Sequence, residues 1–417
     1  MTLRDLFADT FRTLWAHKMR TFLTMFGIAW GILSITMMVA AGEGLRKGQE
    51  IQAATMGKDL IIIFSGRTSM QAGGARAGRS LRWRDTDHIA LAKEATDCAH
   101  VLPEFARGSL QVRSRFNAGS LMVTGSLPPF QYVRSLDIEE GRYYTWRETE
   151  EARRVAFIGS DVRKQLFGDK PALGETLTIN GFPYEVIGVM NRKEQNSDYN
   201  GRDINKIFVP LGAVVRDFPQ APPAEPHVID QLLVVPASVE QHDVCDFQVR
   251  RGLARLHKFD PNDKEAVPTW DTFKEAQAFR SMTDGMKVFL GAVGVVTLFL
   301  GGIGVMNVML VAVRERTREI GIRKAVGATR GSIVGQFFAE TLLIVFFSGA
   351  LGLGMAFSLC SIVNTMEMPA FFAGLIADWR VTFASLGLLG LVAVLAAVYP
   401  ATMAASIDPI EALRYEV

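Results

Sequence analysis

The sequence has little cysteine, little histidine and almost no net charge. Three cysteines and six histidines are spread over 417 residues, and the formal charge is +2. No CxxC and no Cys/His cluster occurs, which excludes zinc-finger and dithiol redox motifs. Cys98 and Cys245 lie in the polar part of the chain and Cys360 in an apolar run. A Cys98–Cys245 bond stays open if the polar part lies outside the cell. Spacing alone does not establish proximity, so two separate buried thiols are the preferred reading. The near-zero charge offers no bulk attraction for nucleic acid. No Ser/His/Asp or Cys/His pair stands out, and no catalytic residue, metal site or nucleotide site is expected. Gly73, Gly78, Arg79 and Ser80 come close to GxxxxGK[ST], but arginine replaces the lysine and no helical pattern follows at once.

Charge is also missing from four long runs: Thr21–Gly42, Val288–Val313, Thr341–Met366 and Val381–Ile407. A membrane-spanning helix needs about 20 apolar residues, and core helices seldom reach that length without a charge. The lack of any ionisable group inside the runs argues against an ion-coupled carrier or channel. Asn307 and Asn364 are expected to bond neighbouring helices. Arg4, Arg12, Lys18 and Arg20 precede the first run; Arg314, Arg316, Arg318, Arg323, Lys324 and Arg330 lie between the second and third. Basic residues stay on the cytoplasmic side, which puts both termini and residues 314–340 inside and residues 43–287 outside. The loop 367–380 is then outside and 408–417 inside. Leu3, Leu6, Phe7, Phe11, Leu14, Trp15 and Phe22 recur at spacings near three and four, a pattern for an interfacial helix over residues 1–20 leading into the first span. Gly27 and Gly31, and Ser348, Gly352 and Ala356, provide small-residue spacings for close helix packing.

Thirteen of the sixteen prolines fall in 43–287, marking a separate domain. Leu60–Phe64, Val155–Ile158, Ile207–Val209 and Leu232–Val235 read as buried strands. Thr176–Ile179 and Tyr184–Val189 flank Asn180-Gly181, a hairpin signal. Asp85–Ala95, Asp161–Phe167 and Asp243–Phe259 read as helices, and Ser69–Gly78 and Pro219–Pro226 as loops. Thr272 and Glu275 have the spacing of a capping box. With no proline for a long way beyond, one helix could run from there through the second span, Gly285 being the place for a break.

Val313–Gln336 reads VRERTREIGIRKAVGATRGSIVGQ. This resembles the signature of the MacB/FtsX family of ABC-transporter permeases. The opening at Trp15–Ile28 and the ending YPATMAASIDPIEALR at Tyr399–Arg414 resemble the family's two ends, and Arg154–Val189 with Ile207–Leu211 resembles its outer domain. The resemblance implies an α-helical membrane protein with four transmembrane helices plus a large α+β extracytoplasmic domain of two lobes. The α/β lobe would be about 43–110 and 212–287, and the β-rich lobe about 111–211. It also implies a bacterial plasma-membrane permease that forms a homodimer or a paralogous heterodimer and pairs with a cytoplasmic ABC ATPase subunit. ATP and Mg would be bound by that partner, with no cofactor in this chain. Because few residues precede the first span, the ATPase is expected to be a separate polypeptide.

The loop signature implies the ATPase-coupling element. Glu319 and Arg323 are an i, i+4 pair suited to a short helix. Ile320 and Ile322 offer apolar contact, and Gly321 and Gly327 allow close approach. With Lys324, Ala325 and Ala328 they form the segment expected to enter a groove on the ATPase, anionic lipid being the simpler destination for its basic residues. The expected function is export of a drug, peptide or similar molecule by ATP-driven motion of the outer domain. In a two-membrane cell a periplasmic adaptor and an outer-membrane duct would complete the path. A lipoprotein-releasing permease of the LolC/LolE type and an FtsX-like regulator of a cell-wall hydrolase are the alternatives.

Overall fold

A computed structural model of the chain describes residues 18–57, 59–72, 74, 76–195, 199–220, 227–369, 371–377 and 379–414. The interfacial helix expected over residues 1–20 lies almost wholly outside them, as does most of the Pro219–Pro226 loop. In chain order the elements are α1 (Lys18–Met56), β1 (Ile61–Phe64), α2 (Asp87–Glu94), β2 (Cys98–Arg113), β3 (Ala118–Ser126), α3 (Phe130–Val133), β4 (Ile138–Gly141), α4 (Trp146–Glu150), β5 (Val155–Ile158), α5 (Ser160–Phe167), β6 (Thr176–Ile179) and β7 (Phe182–Met190). A 3-10 turn (Asp203–Asn205) leads into β8 (Lys206–Pro210), α6 (Leu211–Asp217), β9 (Gln231–Pro236), α7 (His242–His257) and β10 (Thr269–Asp271). Helices α8 (Thr272–Glu315), α9 (Thr317–Ala325), α10 (Arg330–Val363), α11 (Trp379–Ser406) and α12 (Pro409–Arg414) complete the chain. The chain divides into two compact units, one of residues 49–279 and one formed by the remainder.

In the unit of residues 49–279 the strands run β10-β1-β9-β2-β3-β8-β5-β7-β4, with β6 paired to β2 and β7. β2 belongs to two lobes. Its first half pairs with β9 as far as Glu104↔Gln231, and its second half pairs with β3 from Phe105↔Gly125. The change of lobe therefore falls inside a continuous strand at 104/105, a few residues before the expected boundary. α6 also packs on β3 and β8, which extends the β-rich lobe to Asp217. The aliphatic runs become buried strands because each of their faces meets another layer. Asn180 and Gly181 take φ of 47° and 94°, as a type I′ turn between β6 and β7 requires. Gly125 leaves room for α6, since a Cβ there would lie 2.0 Å from Val214 Cγ1.

Two expectations are corrected. Cys98 and Cys245 form a disulfide that ties β2 to α7, their Cα atoms 5.2 Å apart across a separation of 147 residues. Tertiary folding brings them together, which sequence spacing does not reveal. The capping box is not made either: Thr272 Oγ1 donates to the Leu60 carbonyl (2.9 Å) and accepts from the Leu60 amide (3.0 Å). Asp271 caps α8 instead, accepting from the Lys274 amide at 3.0 Å, while Glu275 accepts from the Trp270 indole. β2 and β3, of 16 and 9 residues, have no counterpart among the strands expected from the sequence. Pro103 and Gly108 interrupt the β pattern of β2, and a bulge separates Arg107 from Leu110.

A charged cluster is buried where the lobes join. Asp203 accepts from Arg134 Nη2 (3.0 Å to each oxygen), Lys193 Nζ (3.0 Å) and Lys206 Nζ (3.3 Å). Burial alone would push the Asp203 carboxyl up; the Arg134 guanidinium, helped by Lys206 and Lys193, overrides it and holds it well below the usual carboxylate range. Glu104, fully buried at the junction in β2, accepts from Tyr199 (2.6 Å) and Asn200 (2.8 Å). The Tyr199 ring lies 4.9 Å under the Arg134 guanidinium and packs edge-on against Phe64 and Trp270.

In the other unit, α1, α8, α10 and α11 are each long and apolar enough to cross a membrane. Their outward surface carries Val288, Phe289, Leu300, Phe346 and Leu391, as a lipid-facing surface requires. α8 is unbroken at Gly285 and spans about 66 Å at 1.5 Å per residue. Glycines set the helix contacts. A Cβ on Gly352 would lie 2.6 Å from the Ala29 carbonyl oxygen, and one on Gly31 would lie 3.1 Å from Leu298. Ser348 and Ala356, on the same face of α10 as Gly352, are fully buried. A Cβ on Gly27 would meet nothing within 4 Å outside its own helix among the described residues. Gly294, Gly301 and Gly302 of α8 fit against Ile35, Ile28 and Val392, contacts that the GxxxG spacing did not point to. Asn307 is exposed and has no hydrogen-bond partner on a neighbouring helix among the described residues, and Asn364 pairs with the Leu375 amide (2.7 Å) and carbonyl (3.0 Å).

Candidate functional site

The stretch 314–340 is mostly helical: α8 ends at Glu315, α9 follows at once, and α10 begins at Arg330. The turn after α9 is a Schellman motif. The Ala328 amide bonds the Arg323 carbonyl (3.0 Å), the Gly327 amide bonds the Lys324 carbonyl (3.1 Å), and Gly327 takes φ of 103°. Thr329 then caps α10, accepting from the Ser332 amide. The sequence AVGAT at 325–329 thus ends one helix and starts the next within one turn.

One side of α9 is fixed to its own chain. Ile320 is 2% exposed and joins the apolar core with Val313, Ile333, Phe337 and Ala405. Gly321 lies on α12, where a Cβ would stand 2.5 Å from Ala412 Cβ. Lys324 Nζ donates to the carbonyls of Ala405 (3.0 Å) and Ile407, closing the C-terminal end of α11. Arg323 donates to Gln336 Oε1 (2.8 Å), Gln336 to Glu340 (3.1 Å), and Arg316 lies 3.4 Å from the same carboxylate, which is 2% exposed. α9 is therefore fastened to α10, α11 and α12 by side chains that sequence reasoning assigned to a partner or to lipid.

The opposite side is bare. Ile322 is 47% and Val326 85% exposed, one turn apart, with Glu319 and Ala325 also exposed beside them. The expected Glu319–Arg323 pair is not made; Arg323 turns to Gln336, and among the described residues Glu319 has no side-chain partner. Of the residues expected to couple, Ile320, Gly321 and Lys324 face inward, Ala328 is half-buried against the core, and Gly327 makes the turn. Ile322, Ala325 and Val326 form an apolar edge open to a partner. The exposure of Val326 had no signal in the sequence beyond its position before the glycine. Elsewhere, Arg79 of the near-match to a phosphate loop donates to the Lys258 carbonyl (3.1 Å) at the end of α7.

Residues 21–250 match the MacB-like periplasmic core domain and residues 291–409 the FtsX-like permease C-terminal domain. The chain is 31% identical over 420 residues to the macrolide export ATP-binding/permease protein MacB of Bdellovibrio bacteriovorus, covering 97% of this chain but 61% of that protein. It is 30% identical over 401 residues to the uncharacterized ABC transporter permease YknZ of Bacillus subtilis, covering 96% of each. The crystal structure of the periplasmic region of MacB from Actinobacillus actinomycetemcomitans matches 54% of this chain and 94% of its own, with a TM-score of 0.42 and 18% identity. The chain belongs to the MacB/FtsX-like family of ABC-transporter permeases.

Proposed function

We propose that this chain is the permease subunit of an ABC transporter of the MacB type, driving export of a drug, peptide or similar small molecule. ATP is hydrolysed by a separate ATPase subunit docked on the exposed edge of α9. Both termini and α9 are cytoplasmic, and the domain of residues 49–279 is extracytoplasmic. The bare Ile322–Ala325–Val326 edge carries the reading, because Ile320, Gly321, Arg323 and Lys324 are already engaged within the chain. A push on that edge reaches α10, α11 and α12 through Gln336, the Ala405 carbonyl and Ala412. α8, a single helix from Thr272 to Glu315, passes motion across the membrane. The Cys98–Cys245 bond suits an oxidising compartment, which favours the outside for that domain.

Sidedness tests the arrangement. In a Cys360→Ser background, cysteines are introduced at Tyr132 and Val326, which are 80% and 85% exposed. A membrane-impermeant maleimide added to intact cells is expected to label Tyr132→Cys and to reach Val326→Cys only after permeabilisation. Labelling in the reverse order would overturn the topology.

A further inference from the structure

We propose that the cleft between the two lobes of the 49–279 domain is a binding site for lipophilic organic cations. Naming such cations as the exported substrate class rests on the export reading above; the binding itself does not. The cleft has a volume of about 710 Å³, within the range of small-molecule sites. One lobe contributes Ile89 of α2, and the other Leu127, Trp146 of α4 and Val215 of α6. A molecule lying there touches both lobes at once.

Trp146 is the central group. Its indole is 53% exposed and has no ring partner among the described residues. Its place is nevertheless fixed. Thr145 and Glu148 form a capping box at the start of α4, and Arg142 grips Glu148 at 2.7 and 2.8 Å. The hydrogen bond from Arg142 drives the Glu148 carboxyl down to about 2, so the clamp stays charged at neutral pH.

The charges around the cleft decide what it takes. Arg216 donates to Asp217 at 2.8 and 3.2 Å, a carboxylate it shares with Arg154. His227 is 2.8 Å from Asp85, and burial lowers the pKa of His88, which keeps that imidazole neutral. Glu150, on the turn of α4 after Trp146, is exposed and has no partner among the described residues. Among the described lining residues the carboxylates of Asp85 and Glu150 outnumber the one guanidinium, Arg216, and Glu150 stands beside an electron-rich ring face. A cation with an apolar body gains from both, through cation–π and Coulomb attraction, while an anion is repelled.

The test uses the purified full chain without any ATPase. Tetraphenylphosphonium is the probe, and tetraphenylborate is its anion of the same shape. Equilibrium dialysis is expected to show one phosphonium per chain, weakened at least tenfold by Trp146→Ala and three- to tenfold by Glu150→Gln, with tetraphenylborate binding poorly. Unchanged thermal midpoints in both variants keep the comparison valid, since both side chains are exposed. Equal binding by wild type and both variants, or borate binding as well as phosphonium, would show mere partitioning into the apolar helices and overturn the site. Site-specific binding without any stimulation of a partner ATPase would sink the export reading and leave the cleft standing; ATPase coupling without such binding would do the opposite.

Discussion

Ala325→Asp is expected to cut substrate-stimulated ATP hydrolysis by the assembled transporter at least tenfold, with the permease's thermal midpoint within about 2 °C of wild type. Ala325 is exposed at the end of α9, beside Ile322 and Val326. A carboxylate there meets solvent in the isolated chain and costs it less than about 0.5 kcal/mol. Against an apolar groove the same carboxylate must be desolvated, at a cost of about 2–4 kcal/mol. Each 1.4 kcal/mol is a factor of ten, so docking fails before folding does. Gly321→Leu has a different outcome. Its side chain collides with Ala412, so α9 is pushed off α12 and stability falls together with coupling. If the segment served only to hold anionic lipid, Ala325→Asp would change little, and neutralising Arg318 and Arg330 would matter more.

Asp203→Asn is expected to lower the unfolding midpoint of the 49–279 domain by roughly 10 °C. The carboxylate answers three buried cations: Arg134 is fully buried, and Lys193 and Lys206 are nearly so. Two guanidinium nitrogens of Arg134, Nε and Nη1, already lack partners among the described residues. Among the described residues, removing the charge leaves Glu104 against three cations in this cluster, and breaking a buried pair costs about 3–5 kcal/mol. A domain of this size loses about 2–4 °C per kcal/mol. The pH dependence follows from the sign of the shift. Asp203 has a depressed folded value, so its contribution is full above the ordinary carboxylate value of about 4 and is lost as pH falls toward the folded one. Asp203→Asn should therefore lower stability at pH 7 and flatten the acid limb. Differential scanning fluorimetry from pH 7 to pH 3 reads both effects. A midpoint change under 2 °C at pH 7 would show that the cluster is not what joins the lobes.

Much of this fold could be read without coordinates, for physical reasons that differ by element. The four spans announced themselves because a bilayer forbids charge over some twenty residues. The strands at 61–64 and 155–158 were legible because strands buried on both faces are purely aliphatic. β2 was not, because Pro103, Gly108 and a bulge break its pattern locally while tertiary pairing on both edges restores it. Arg134, Glu104, Asp203 and Lys206 look like surface charges in sequence, and only folding gathers them. The segment expected to couple to an ATPase has one exposed side, but the direction of each side chain was not legible in the sequence. Ile320 and Ile322 look equivalent in sequence, yet one fills the core and the other is exposed. Lys324 looks like a topology or lipid charge and instead closes the end of α11.

The account rests on force entering through the bare edge of α9. A photo-crosslinking amino acid placed at Val326 tests that edge most directly in membranes that also contain the cognate ATPase. The account predicts a covalent adduct between this chain and the ATPase, abolished by Ala325→Asp. Adducts with lipid alone, or an ATPase adduct unaffected by Ala325→Asp, would contradict it.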